Sequence, residues 1–271
     1  EVGKTYRYAY KAESTTSGFQ RNSEGMTSQP VSKMVIDSVV EVTITSQNDD
    51  VYTGQVVLSN VFACNASISP DTTEETVIDD PAVLEELQTP IIFEQSSVGK
   101  ITLIQVAQNA NPQATNFQKS VIDALQVSLQ DGNNYTVNER GSQGSYNAEY
   151  QLAEQDNVLT INKSYDNSSF TELIHQGNDA DALVISSATE AVLDGTRGVI
   201  TSITGVESVA NGSDTLFPDD SNTGFDGITT WTQIDTTNSM VFESSTVAKN
   251  VQSAALTANY LNDDLGAFIP E

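Results

Sequence analysis

Hydrophobic alternation with a period of two runs through almost the whole chain, and a helical period surfaces only once. The opening EVGKTYRYAYKAE puts Tyr6, Tyr8 and Tyr10 on one parity and Thr5, Arg7, Ala9 and Lys11 on the other, the pattern of a strand with one buried face. In VSKMVIDSVVEVTIT the even positions Met34, Ile36, Val40, Val42 and Ile44 are apolar. Asp37, Glu41, Thr43 and Thr45 take the odd ones, with Val35 and Val39 mixed among them. The β-branched content supports one long strand here and a second over 51–62, joined through the QNDD turn as a hairpin. Further strands are expected over 91–95, 100–105, 135–139, 146–152, 158–163, 182–189, 190–193, 198–209, 229–235 and 238–247. Residues 67–88 read as a surface loop with a short helix, and 208–227 as a long mobile loop.

The exception is NPQATNFQKSVIDALQ. Asn111 suits an N-cap and Pro112 the first helical position. Phe117, Val121, Ala124 and Leu125 then recur at helical spacing, and Val127 and Leu129 read as a strand resuming directly afterwards. About eleven strands and one amphipathic helix in 271 residues, with no composition shift between them, make residues 1–271 a single mainly β domain.

Charge and rare residues narrow the function. Eleven basic side chains face thirty-seven acidic ones, a formal charge of −26. Such a surface repels phosphate backbones, which argues against nucleic acid as a partner and favours solubility or a cationic partner. No apolar run is long enough to cross a bilayer as a helix, so no transmembrane segment is expected. Cys64 and His175 are the only residues of their types. His175 sits in ELIHQGND without a nucleophile–base motif, and the chain has no GxSxG and no phosphate loop, so an enzyme is not expected. One Cys and one His cannot supply a zinc site. PDDSNTGFDG and HQGNDADA bunch oxygens without the EF-hand spacing, so no metal is assigned and no cofactor is required. Asn65, Asn134, Asn162, Asn167 and Asn211 head N-x-S/T sequons, candidate glycan acceptors on a secretory route.

Several motifs in order resemble the vitellogenin-like N-terminal domain of the large lipid transfer proteins. They are Gly3, Lys4, Tyr6 and Tyr8 of the opening strand, the long hairpin over 31–62, the strand–turn–strand IIFEQSSVGKI, the helix leading into 126–130, and a Glu-x-Gly-x-x-Gly signature. That signature reads Glu139, Gly141, Gly144, Tyr146 and Tyr150, with Tyr146 where the family has cysteine. The cysteine it would pair with falls at Ser169 in KSYDNSS, so the resemblance implies a disulfide lost at both ends together. It also implies the fold: a large antiparallel β-barrel wrapped around one central helix.

The function the resemblance implies is a secreted, non-enzymatic carrier of an apolar ligand, whether lipid, sterol or carotenoid pigment. Nothing resembling a signal peptide precedes the first strand, as expected of a secreted protein numbered from its mature end. Candidate ligand contacts are the helix stripe Phe117, Val121 and Leu125, together with Trp231, an apolar ring on an otherwise polar strand. A different reading stays open: a structural or interaction module, either a yolk-storage-type fragment or a subunit of a homo-oligomer or larger lipoprotein assembly, with no bound small molecule.

Overall fold

A computed structural model describes residues 1–22, 25–141, 144–173, 181–212, 229–248, 260–263 and 265. The protein is mainly β. Its strands are β1 (Lys4–Asn22), β2 (Gly25–Asn48), β3 (Val51–Ile68), β4 (Thr73–Val77), β5 (Ile91–Ser96), β6 (Ile101–Ala107) and β7 (Asn134–Gly141). They continue with β8 (Gly144–Gln155), β9 (Val158–Asp166), β10 (Phe170–Leu173), β11 (Asp181–Asp194), β12 (Val199–Gly212), β13 (Thr229–Val247) and β14 (Tyr260–Asp263). Among the described residues two α-helices join them, α1 (Pro81–Glu86) and α2 (Pro112–Leu125).

All fourteen strands belong to one sheet, ordered β10-β8-β9-β11-β12-β13-β1-β2-β3-β5-β6-β14, with β4 on β3 and β7 on β8. Every pairing is antiparallel. The parity of the opening strand holds: Tyr8 and Tyr10 are buried with Val40, Val42, Val56 and Leu58 of the two following strands. Pro30, inside β2, sits where the β1–β2 register shifts between Thr16 and Ser17, one of the few strand positions at which a missing N–H is tolerated. The β8–β9 hairpin closes through Asp156 and Asn157, both at positive φ (53° and 64°), as a two-residue turn matching the strand twist requires.

The structure corrects the expected count. The segments 182–189 and 190–193 are one strand, β11, and 229–235 and 238–247 are one strand, β13. The polar stretch that suggested a break keeps its ladder, with Thr236 opposite Ser14, Thr237 opposite Glu13 and Asn238 opposite Ala12. Cross-strand bonding there overrides composition. The 67–88 region gains a strand, β4, beside α1.

The barrel is corrected as well: the sheet does not close. Between the start of β6, whose Ile104–Ala107 pair with β14, and the edge of β7 runs a segment, residues 126–130, that is neither helix nor the strand its Val127 and Leu129 suggested. The Gln126 side chain spans the gap, its Oε1 accepting from Ile101 N–H (3.1 Å) and its Nε2 donating to the Arg140 carbonyl (3.1 Å). Leu129 N–H donates to the Val98 carbonyl, and Gly99 sits against Val127, whose carbonyl oxygen would lie 2.0 Å from a Cβ there. Side chains and a strap thus do what a ladder would do in a barrel. Nor do the described residues contain a long central helix. α2 has 14 residues, capped as expected by Asn111, whose side chain accepts from Ala114 N–H, with Pro112 at its start. It packs against α1, β3 and β12, with Ala114, Val121 and Ile122 in the core.

Candidate functional site: a cavity between helix and sheet

Between α2 and the inward face of the sheet lies a cavity of about 470 Å³. Strand register builds its wall from two rows of inward side chains. One row runs Tyr165, Ser187, Glu207, Thr236 and Ser14, the other Lys163, Thr189, Gly205, Asn238, Ala12 and Ile36, each residue opposite the next across successive strands. All of these line the cavity. Polarity therefore grades along the sheet, from Lys163, Tyr165 and Glu207 at one end to Ile36, Met34 and Ala63 at the other. From the helix side come Phe117, Ser120, Asp123 and Ala124, with Phe117 edge-on to Tyr10 at 6.0 Å between centroids. Met34 and Ile234, on the inward parity of their strands, line the cavity yet are 38 % and 39 % exposed, so they form its mouth.

The polar end rests on a buried network. Lys163 Nζ lies 2.7 Å from Glu139 Oε2, at 5 % and 1 % exposure, and donates to the Gln126 carbonyl (3.1 Å). Glu139 Oε1 accepts from Ser128 Oγ (2.5 Å) and Tyr150 OH (2.7 Å). Tyr150 OH accepts from Ser128 N–H, and Tyr135 OH donates to the Ser128 carbonyl. The charge of Lys163 is thus committed to Glu139, and every partner lies on the strap or on β7, β8 and β9.

Above that pair, Tyr146 and Tyr165 stack at 4.0 Å and Phe170 joins them. Tyr165 OH donates to Glu207 Oε2 at 2.6 Å. The phenols of Tyr146 and Tyr165 are pushed well above their ordinary range, by burial first and then by the carboxylates of Asp123 and Glu207. Burial raises Glu207 too, against the Tyr165 hydrogen bond. Tyr146 is 1 % exposed and its hydroxyl has no hydrogen-bond partner among the described residues. Among the described residues no three His, Cys, Asp or Glu side chains gather as a metal site.

A family model described as the Vitellogenin N-terminal domain matches residues 1–209. The chain belongs to that family. A solved structure titled "Lipid-protein interactions in lipovitellin" has the same fold, at 16 % identity and a TM-score of 0.68, over 94 % of this chain and 26 % of that one. This chain therefore spans about a quarter of the length of that structure. No curated protein matches it. The vitellogenin family is one of lipid binding and storage.

Of the expected ligand contacts, Phe117 lines the cavity. Val121 is fully buried in the core, and Leu125 is partly buried against that core. Trp231 stacks on Phe19 at 5.1 Å across the β1–β13 pair, apart from the other three. The sequons at Asn65, Asn134, Asn162 and Asn167 are exposed, and Asn211 lies on β12. Cys64 is half-buried on β3. His175 and PDDSNTGFDG lie outside the described residues, as does most of HQGNDADA.

Two family motifs meet here. Glu139 of the Glu-x-Gly-x-x-Gly signature pairs with Lys163 of KSYDNSS, and Tyr146 lies opposite Phe170, next to Ser169. An aromatic cluster occupies the place where the resemblance put a disulfide. The lining residues Ser187, Thr189, Gly205, Glu207 and Asn238 were missed because they come from three strands, and only register brings them together. The one usable signal was polar side chains on the parity of a buried face, as at Lys163 and Tyr165.

Proposed function

We propose that the protein is a secreted, non-enzymatic carrier that holds one apolar molecule in the cavity between α2 and the sheet. The cavity is the observation that carries this reading. Its volume of about 470 Å³ falls within the ~300–1,000 Å³ of small-molecule sites. At ~30 Å³ per water-sized group, it takes one acyl chain or a sterol more readily than both chains of a phospholipid. Phe117, Tyr10, Met34 and Ile36 supply apolar wall, and each methylene moved from water contributes about 0.8 kcal/mol. A carotenoid is longer than the enclosed volume and would extend through the mouth at Met34 and Ile234. Family membership supports the lipid class, and the four exposed sequons suit a secretory route.

Native protein, extracted with organic solvent and analysed by mass spectrometry, should release a stoichiometric lipid, sterol or pigment. A visible absorption band would identify a pigment. An empty extract would favour the interaction module, whether a storage fragment or an oligomer subunit.

A further inference from the structure

Glu207 stands in the cavity wall as a carboxylate with one oxygen bonded and the other open. It lines the cavity from β12 and shares the inward parity of Ile203 and Gly205, both buried. Register sets it opposite Ser187 on one side and Thr236 on the other. Its Oε2 accepts from Tyr165 OH at 2.6 Å. Its Oε1 has no hydrogen-bond partner among the described residues and is not one of the side-chain oxygens sealed from solvent. Burial opposes the charge of Glu207, and the Tyr165 bond and a more distant Lys163 favour it. Lys163 does not pair with it, because its ammonium is held 2.7 Å from Glu139 and donates to the Gln126 carbonyl. A carboxylate oxygen accepts about two hydrogen bonds. One left without a donor in a partly desolvated wall gains free energy when a ligand supplies it.

We propose that Glu207 Oε1 anchors the polar tip of the cargo, so that the cavity selects a single-chain lipid or sterol whose tip donates a hydrogen bond. A hydroxyl or an amine meets that requirement, and an ester, whose oxygens only accept, does not. The selection deepens the carrier reading and rests on it. The polarity gradient sets the orientation, with the tip at β12 and the chain running past Phe117 toward Ile36 and Ala63. Tyr165 fixes the carboxylate by its bond to Oε2, which leaves Oε1 for the ligand.

The test uses the delipidated full chain at mildly alkaline pH and displacement of an apolar fluorescent dye by hexadecanol, hexadecylamine and methyl hexadecanoate. The three share a chain length and differ at the tip. Glu207→Leu should weaken hexadecanol about tenfold relative to the ester, the size of one hydrogen bond to a charged group, about 1.4 kcal/mol. Ester binding should hold, which shows the fold and the cavity intact. Glu207→Gln keeps an acceptor oxygen and removes the charge, so it should cost the amine at least about tenfold and the alcohol less. An alcohol-to-ester ratio unchanged by Glu207→Leu overturns the anchor and leaves the carrier reading standing. So does an amine that binds Glu207→Gln as tightly as the unmodified protein. Should Glu207→Leu fail to fold, the amine-to-ester ratio of Glu207→Gln decides the matter alone. If neither the dye nor any of the three lipids binds, the carrier reading falls and this selection with it.

Discussion

Replacing Lys163 by Met removes the ammonium and keeps most of the side-chain volume. In the native fold Glu139 is 1 % exposed, and its Oε2 meets Lys163 at 2.7 Å while Oε1 takes hydrogens from Ser128 and Tyr150. The variant leaves a buried carboxylate without its counter-charge and the Gln126 carbonyl without its donor. Breaking a buried pair from one side costs about 3–5 kcal/mol, whereas an exposed pair is worth ~0–1 kcal/mol. For a domain of this size that corresponds to a fall in Tm of about 6–20 °C, at ~2–4 °C per kcal/mol. Urea unfolding followed by circular dichroism reads the change directly as a shifted midpoint at unchanged slope. Adding Glu139→Gln removes the orphaned charge while its amide oxygen still accepts from Ser128 and Tyr150, so the double variant should recover at least half of the loss. A cost below about 1 kcal/mol for Lys163→Met, or a double variant as unstable as the sum of the singles, would refute the assignment of this pair as the anchor of the polar end.

Three further outcomes follow from the same geometry. Gly99→Ala would place a methyl group 2.0 Å from the Val127 carbonyl oxygen at a φ of +94°, so it should cost at least about 2 kcal/mol in a denaturant titration, whereas Gly132→Ala, with open space around it, should cost less. Ala124→Phe turns a ring into the cavity from α2 and should leave Tm unchanged or raise stability by about 0.5–2 kcal/mol, as filling a void does, while cutting dye and lipid uptake at least about tenfold. Tyr8, Tyr10, Tyr146, Tyr150 and Tyr165 are all raised by burial above the ordinary phenol value of about 10. The unfolded chain loses those protons first, so their contribution is intact below about pH 10 and falls as the pH climbs beyond it. Tyrosinate absorbance should therefore rise in one step together with loss of the far-ultraviolet signal. Gradual ionisation of all nine tyrosines in a still-folded protein would contradict the burial.

Local chemistry was legible in the sequence. The alternation at Tyr6, Tyr8 and Tyr10, the Asn111–Pro112 start of α2 and the hairpin through QNDD each depend on neighbours a few residues away, so reading along the chain recovers them. Motif order was also enough to point to the family, which the match over residues 1–209 shows.

What the sequence could not supply is whatever depends on partners distant in the chain. Whether polar segments such as 235–238 break or continue a strand was decided by β1 offering a complementary ladder. Whether the sheet closes was decided by the strap, where the single amide of Gln126 bonds Ile101 of β6 and the Arg140 carbonyl of β7 in place of a ladder between them. The cavity belongs to the same class. Lys163, Ser187, Glu207 and Asn238 sit on four strands, and each is an ordinary polar residue in its own segment. A shift of one residue in any pairing would turn its row outward, so the site exists only once the register is fixed.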